Sequence, residues 1–112
     1  MLAQISNAIV GVFSDCYGRG PTKAKTYHFD DYVFTVLEDI LTPVEVTLVE
    51  HGHSDLVRRV RLTFQEAVSD RFTGAVAEVV GRKVIAYHSQ VVFEPTMGFE
   101  IFVLEPEKDA AG

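Results

Sequence analysis

The chain has 112 residues, 47% of them apolar, which is enough for one hydrophobic core and too short for two. A formal net charge of −6 works against nucleic-acid binding, because a phosphate backbone must be met by a surplus of cations. The single cysteine, Cys16, excludes an intramolecular disulfide and fits a reducing compartment.

No apolar run approaches the roughly 20 residues that cross a bilayer. The opening residues Met1, Leu2, Ala3 and Gln4 carry neither the basic nor the apolar region of a signal peptide. A cytoplasmic location is therefore expected, at most peripheral to the inner face of the membrane.

The first element is a helix. Leu2, Ile5, Ile9, Val12, Phe13 and Cys16 recur at helical spacing up to Tyr17. Gly18 suits the left-handed position that ends a helix, and Pro21 prevents it from resuming. Two strands follow, over residues 24–29 and 32–37, both rich in β-branched and aromatic residues, with Asp30 and Asp31 as the hairpin turn. Both faces of the second strand are largely apolar, so the sheet needs cover on each side.

Thr42, Pro43 and Glu45 form a strong helix start: a cap, a proline at the first helical position and the glutamate of a capping box. This short helix is expected to end near His51 and Gly52. Ser54 or Asp55 then opens the longest helix, running to about Val80. Its apolar stripe reads Leu56, Val60, Phe64, Ala67, Val68, Phe72, Ala75, Val76 and Val79, and Arg58, Arg59, Arg61 and Arg71 read either as a solvated face offset by Glu66 and Asp70 or as a contact for an acidic partner or anionic membrane surface. Gly74 is a weak point within it. Residues 83–93 and 99–104 close the chain as a second hairpin, and residues 107–112 read as a flexible tail.

The expected fold is therefore α+β: one domain over residues 1–106, in the order helix, two strands, two helices, two strands. The four strands form an antiparallel sheet with the helices packed on one face. A largely apolar opposite face invites a homodimer.

One stretch stands out chemically. Gly18, Arg19, Gly20, Pro21, Thr22, Lys23 and Lys25 make a pinned turn loaded with cations. It can cradle a small anion through exposed amides and basic side chains, or it can simply end a helix and enter a strand. It is not a P-loop, because the GxxxxGK[ST] spacing is missing and a strand follows.

The histidines match no established zinc spacing, whether His51 and His53 with Asp55 or His28 with Asp30 and Asp31. No metal and no cofactor is read from the sequence. Cys16, with His28 or His88 as base, would be the nucleophile of an enzyme, but it sits at an apolar helical position. Glu100 alternates with Phe99 and Ile101 and, like His88, has no partner identifiable from sequence.

Nearly the whole chain resembles one family. The stretch Phe13-Ser14-Asp15-Cys16-Tyr17-Gly18-Arg19-Gly20-Pro21-Thr22-Lys23-Ala24 looks like its opening signature. Leu41-Thr42-Pro43-Val44-Glu45 follows the first hairpin. The long helix resembles the family's from Asp55-Leu56-Val57-Arg58 through Phe64-Gln65-Glu66-Ala67. Val80-Gly81-Arg82-Lys83-Val84 and Glu100-Ile101-Phe102-Val103-Leu104-Glu105-Pro106 complete the order.

The family is MpsC-like, named after a component of a bacterial sodium-translocating, membrane-potential-generating system. The resemblance implies a small bacterial protein beside a two-part membrane system linked to inorganic carbon uptake. It supplies no transferable active-site set. The expected function is that of a non-enzymatic accessory protein, self-associating and partnered with a membrane transport complex. The alternatives are a regulatory module that senses an anion through residues 18–25, and an enzyme of unknown reaction.

Overall fold

The computed structural model describes residues 1–107. Apart from Glu107, the expected tail lies outside the described residues. The elements are α1 (Leu2–Tyr17), β1 (Lys23–Phe29), β2 (Tyr32–Glu38), α2 (Pro43–Glu50), α3 (Ser54–Val80), β3 (Val84–Val92) and β4 (Met97–Leu104). The three pairings that join the four strands are all antiparallel, in the spatial order β1-β2-β4-β3. This is the α+β fold, with the element order, that the sequence predicts.

Local chemistry sets the boundaries. Gly18 ends α1 at φ 78°, and its N–H reaches the Ser14 carbonyl at 2.9 Å. Gly81 ends α3 in the same way at φ 70°. A positive φ of this size is costly for any residue with a Cβ, which is why glycine stands at both places. At the start of α2 the Thr42 hydroxyl accepts from the Glu45 N–H, and the Glu45 carboxylate accepts from the Thr42 N–H at 2.9 Å. The two-residue turn between β1 and β2 holds Asp30 at φ 52°, a conformation aspartate tolerates better than most residues.

The helices cover one face of the sheet. Ile5, Ile9 and Phe13 of α1 and Val57, Phe72 and Val76 of α3 meet Val33 and Leu37 of β2 and Phe102 and Leu104 of β4 in one buried cluster. Arg82, just after α3, fastens the far end: its guanidinium donates to the Glu105 carbonyl at 2.7 Å and to Asp31 Oδ1 at 2.5 Å. Helix junction, first hairpin and last strand are thereby held at one point.

The apolar stripe of α3 differs from expectation in its first three turns. Leu56 and Val60 are 38% and 56% exposed, while Val57 and Arg61 are buried. From Phe64 onward the predicted stripe faces inward, buried fully at Phe72 and Val76, except Ala67, which is exposed. The shift arises because an arginine, not an aliphatic residue, occupies the core-facing position one turn beyond Val57.

Candidate functional site

Residues 18–25 are placed by the end of α1 and the start of β1. Arg19 is turned inward: Nη1 donates to the Leu41 carbonyl at 2.5 Å and Nη2 pairs with Asp39 Oδ2 at 2.8 Å. The bond from Arg19 holds the Asp39 carboxyl below the usual aspartate range. Gly20 packs where a Cβ would sit 2.6 Å from Ser14 Oγ, and the Thr22 N–H donates to the Glu38 carbonyl at 3.1 Å. Thr22, Lys23 and Lys25 are exposed, with the Lys25 ammonium 5.5 Å from the Tyr27 ring centroid. Lys23 and Lys25 share the face of β1 that points away from the helices, whereas Arg19 faces the β2–α2 connection. The turn therefore does not gather its three cations.

A different constellation forms under α3. Arg61 is 7% exposed. Its Nε donates to Glu45 Oε2 at 2.7 Å, and its Nη2 donates to Glu45 Oε1 and to the Ile40 carbonyl, both at 2.6 Å. Its guanidinium carbon lies 4.3 Å from the Tyr17 ring centroid and 5.4 Å from that of Phe13. A planar fork that satisfies a carboxylate bidentately and stacks on aromatic faces is chemistry that lysine cannot supply. Arg61 thus joins α1, the β2–α2 connection, α2 and α3. Burial raises the Glu45 pKa, but the bonds from Arg61 and Thr42 outweigh it and leave the group below the ordinary glutamate value. Burial pushes the Tyr17 hydroxyl up to about 12.

The second half of the site is set by strand register. Thr26 faces Thr35, Thr35 faces Glu100, and Glu100 faces Ser89. One polar rung therefore crosses all four strands on the helix-facing side. Thr26 and Thr35 share a hydroxyl bond of 2.8 Å, and Ser6 of α1 reaches Thr26 at 2.6 Å. At the other end Glu100 is 3% exposed. It accepts from Tyr87 Oη at 2.9 Å and from Ser89 Oγ, and Gln65 Nε2 of α3 donates to the Tyr87 oxygen. Among the described residues every polar side-chain atom wholly sealed from solvent has a partner, as a polar group in a core requires. Desolvation nevertheless pushes the Glu100 carboxyl up to about 7, against the opposing bonds from Ser89 and Tyr87. Burial and the neighbouring Glu100 push the Tyr87 hydroxyl well above its ordinary value.

Between this rung and α3 lies a cavity of about 220 Å³. Its floor is the next rung, Leu37, Gly98 and Val91, together with Ser89 and Glu100. Phe13, Arg61, Leu62 and Gln65 roof it. Gly98 leaves floor space that Ile40 partly fills, since a Cβ there would meet Ile40 Cδ1 at 3.1 Å. A more open groove between α3 and β3 adjoins it and shares Leu62, Gln65 and Ser89.

The opposite sheet face has no helix on it. Three of its rungs are Phe29, Tyr32, Val103 and Ala86; then Tyr27, Phe34, Ile101 and His88; then Lys25, Val36, Phe99 and Gln90. Phe29 is 74% exposed, and Tyr27, Tyr32, Phe34 and Ile101 are exposed as well. A further rung, Lys23, Glu38, Met97 and Val92, ends the face, so the carboxylate of Glu38 and the cations Lys23 and Lys25 lie toward one margin, with His88 at the β3 edge.

The histidines stay apart. His28 bonds the Asp30 carbonyl and His51 the Thr47 carbonyl. Among the described residues no group of three or more His, Cys, Asp or Glu side chains converges. Cys16 accepts from Arg71 Nη1 at 3.3 Å and bonds neither His28 nor His88. The sequence reading missed Arg61 and the surroundings of Glu100. The one signal for the rung was that Thr26, Thr35, Ser89 and Glu100 all fall on inward-facing positions of their strands.

A four-stranded antiparallel sheet with three helices on one face, an arginine hub and a buried carboxyl rung defines a small α+β domain with one open face. The chain belongs to the MpsC family: the family model described as "Na+-translocating membrane potential-generating system (MpsC)" matches residues 1–106. No curated protein and no solved structure matches it. Among the described residues no helix is long and apolar enough to cross a membrane.

Proposed function

We propose that the protein is a non-enzymatic accessory component of a Na+-translocating membrane-potential-generating system. It pairs with a second copy of itself and serves the membrane-embedded parts from the inner face of the membrane. Membership of the MpsC family supports the system. The observation that carries the mode of action is the open sheet face, where aromatic and aliphatic side chains of β1, β2 and β4 lie exposed on one surface. Contiguous apolar surface of this kind marks an interaction site, because leaving it in water forfeits the burial free energy of each side chain. A flat sheet face meets a second copy about a two-fold axis, each patch covering its counterpart.

The anion-sensing alternative would rest on Lys23, Lys25 and exposed amides, since Arg19 is engaged by Asp39 and Leu41. The deciding experiment is solution mass by light scattering behind a sizing column, with and without bicarbonate and phosphate, followed by co-purification from solubilised membranes. A dimer indifferent to both anions that brings down an integral membrane partner supports the proposal. A monomer overturns the pairing, and a mass that shifts with an anion transfers the function to residues 18–25.

A further inference from the structure

The cavity beneath α3 differs in kind from the open sheet face. It is mostly apolar, with its polar groups at defined positions, the usual build of a small-molecule site. Its volume of about 220 Å³ exceeds the roughly 150 Å³ of an apolar protein cavity that admits benzene, so a ligand of about six to ten heavy atoms fits. Leu62, at the roof, is 54% exposed, which leaves a way in.

The polar groups select the head group. Arg58 and Arg61 are cations on the wall, and Glu100 is its one acid. Arg61 spends Nε and Nη2 on Glu45 and Ile40, and among the described residues Nη1 has no partner. Gln65 gives its N–H to Tyr87, leaving its amide oxygen as an acceptor. Arg58 leans on the Phe93 ring at 5.2 Å and pairs with the exposed Asp55. A carboxylate accepts from a guanidinium N–H more strongly than a neutral oxygen does, because the bond is charge-assisted, and its apolar body would lie over Leu37, Gly98 and Val91.

We propose that this cavity binds a small amphipathic carboxylate, its head on Arg61 Nη1 and its hydrocarbon body against the Leu37–Gly98–Val91 rung. Glu100 would face the bound head group. Its burial already favours the neutral carboxyl, so near neutral pH it can carry the proton that the two groups would share. Tyr17 and Glu45 lie beyond Arg61, Tyr87 is bonded to Glu100 itself, and His88 lines the cavity's edge from a strand position that alternates with Ser89.

The test is an NMR titration of the 15N-labelled full chain with octanoate, and in parallel with 1-octanol, which has the same tail and no charge. The expected result is saturable shifts centred on Gln65, Ser89, Gly98 and Glu100, with octanoate at least tenfold tighter. The change Val91→Phe, which fills the floor, should abolish them. If that variant does not fold, the comparison on the natural chain still decides. Equal affinity for the two ligands, shifts confined to the open sheet face, or no saturation at millimolar octanoate each overturns the proposal.

Discussion

At the scale of single residues, two buried ionisable groups carry opposite signs. Arg61 and Glu45 are 8% and 14% exposed in their side chains, so removing one leaves the other charged and uncompensated. Arg61→Met should therefore cost about 3–5 kcal/mol in urea unfolding, and the double change with Glu45→Gln should recover part of that loss. Glu100 behaves differently. Its folded pKa, about 7, lies above its ordinary value of 4.5, so the folded state holds a proton that the unfolded state has released. Its contribution is fully present below pH 4.5 and is lost as the pH rises toward about 7, on the order of 3 kcal/mol. Urea unfolding from pH 4.5 to 8 should show that decline in the natural chain and a flatter profile in Glu100→Gln. Glu45, depressed by Arg61 and Thr42, contributes fully above the ordinary glutamate value and loses that contribution as the pH falls through its folded pKa, a separate and more acid window. None of this could be read from residue order. Arg61 stands in a run with Arg58 and Arg59, which reads as solvated surface. Its partner Glu45 is sixteen residues away and is brought near only by the packing of α2 on α3. Glu100 meets Ser89 and Tyr87 only once β3 and β4 are in register.

At the scale of elements, the sequence was far more legible, because helix ends and tight turns are written in a few adjacent residues. Thr42, Pro43 and Glu45 specify the start of α2 without tertiary information, and the capping box is formed as expected. Gly18, Gly81 and the Asp30–Asp31 turn mark their boundaries equally locally. The first turns of α3 were misjudged because a period count treats Leu56 and Val60 as core and arginine as surface, and it cannot know that α1 supplies aromatic faces for the guanidinium. The glycines yield two predictions of opposite sign. A Cβ at Gly74, within α3, would meet nothing within 4 Å, so Gly74→Ala should raise stability by about 0.5–1 kcal/mol through helix propensity. Gly18, at φ 78°, also has open space around it, yet Gly18→Ala should lower stability by about 1–2 kcal/mol, because the cost lies in the left-handed backbone and not in a clash. Thermal unfolding of the two variants beside the natural chain measures both. A gain at Gly18 would mean that α1 ends in another way.

At the scale of the whole molecule, the question is why a chain this short leaves one full sheet face without helices. Its three helices are all used on the other side: α1 over β1, α3 over β3, and α2 against α3. Phe34 lies near the centre of the open face, stacked on Tyr27 with ring centroids 5.0 Å apart and opposite Ile101 in register. It takes no part in the buried core, so a change there tests association separately from folding. In a two-fold pairing each copy contributes the same patch, and a carboxylate introduced at Phe34 enters the interface twice, between Tyr27 and Ile101, with the cations of the face confined to its margin. Burying such an unpaired charge costs several kcal/mol, more than the 1.4 kcal/mol that separates each tenfold step in affinity. Phe34→Glu should therefore turn a dimer into a monomer at micromolar protein, with its circular dichroism unchanged and its unfolding midpoint shifted only by the loss of pairing. Light scattering gives the mass directly. A Phe34→Glu protein that stays dimeric would place the contact elsewhere, with the exposed Val44 and Val46 of α2 and Leu56 and Val60 of α3 as the next surface to charge. A monomeric variant that no longer co-purifies with the proposed membrane partner would show that pairing precedes docking, whereas one that still does so would separate the two proposed interfaces.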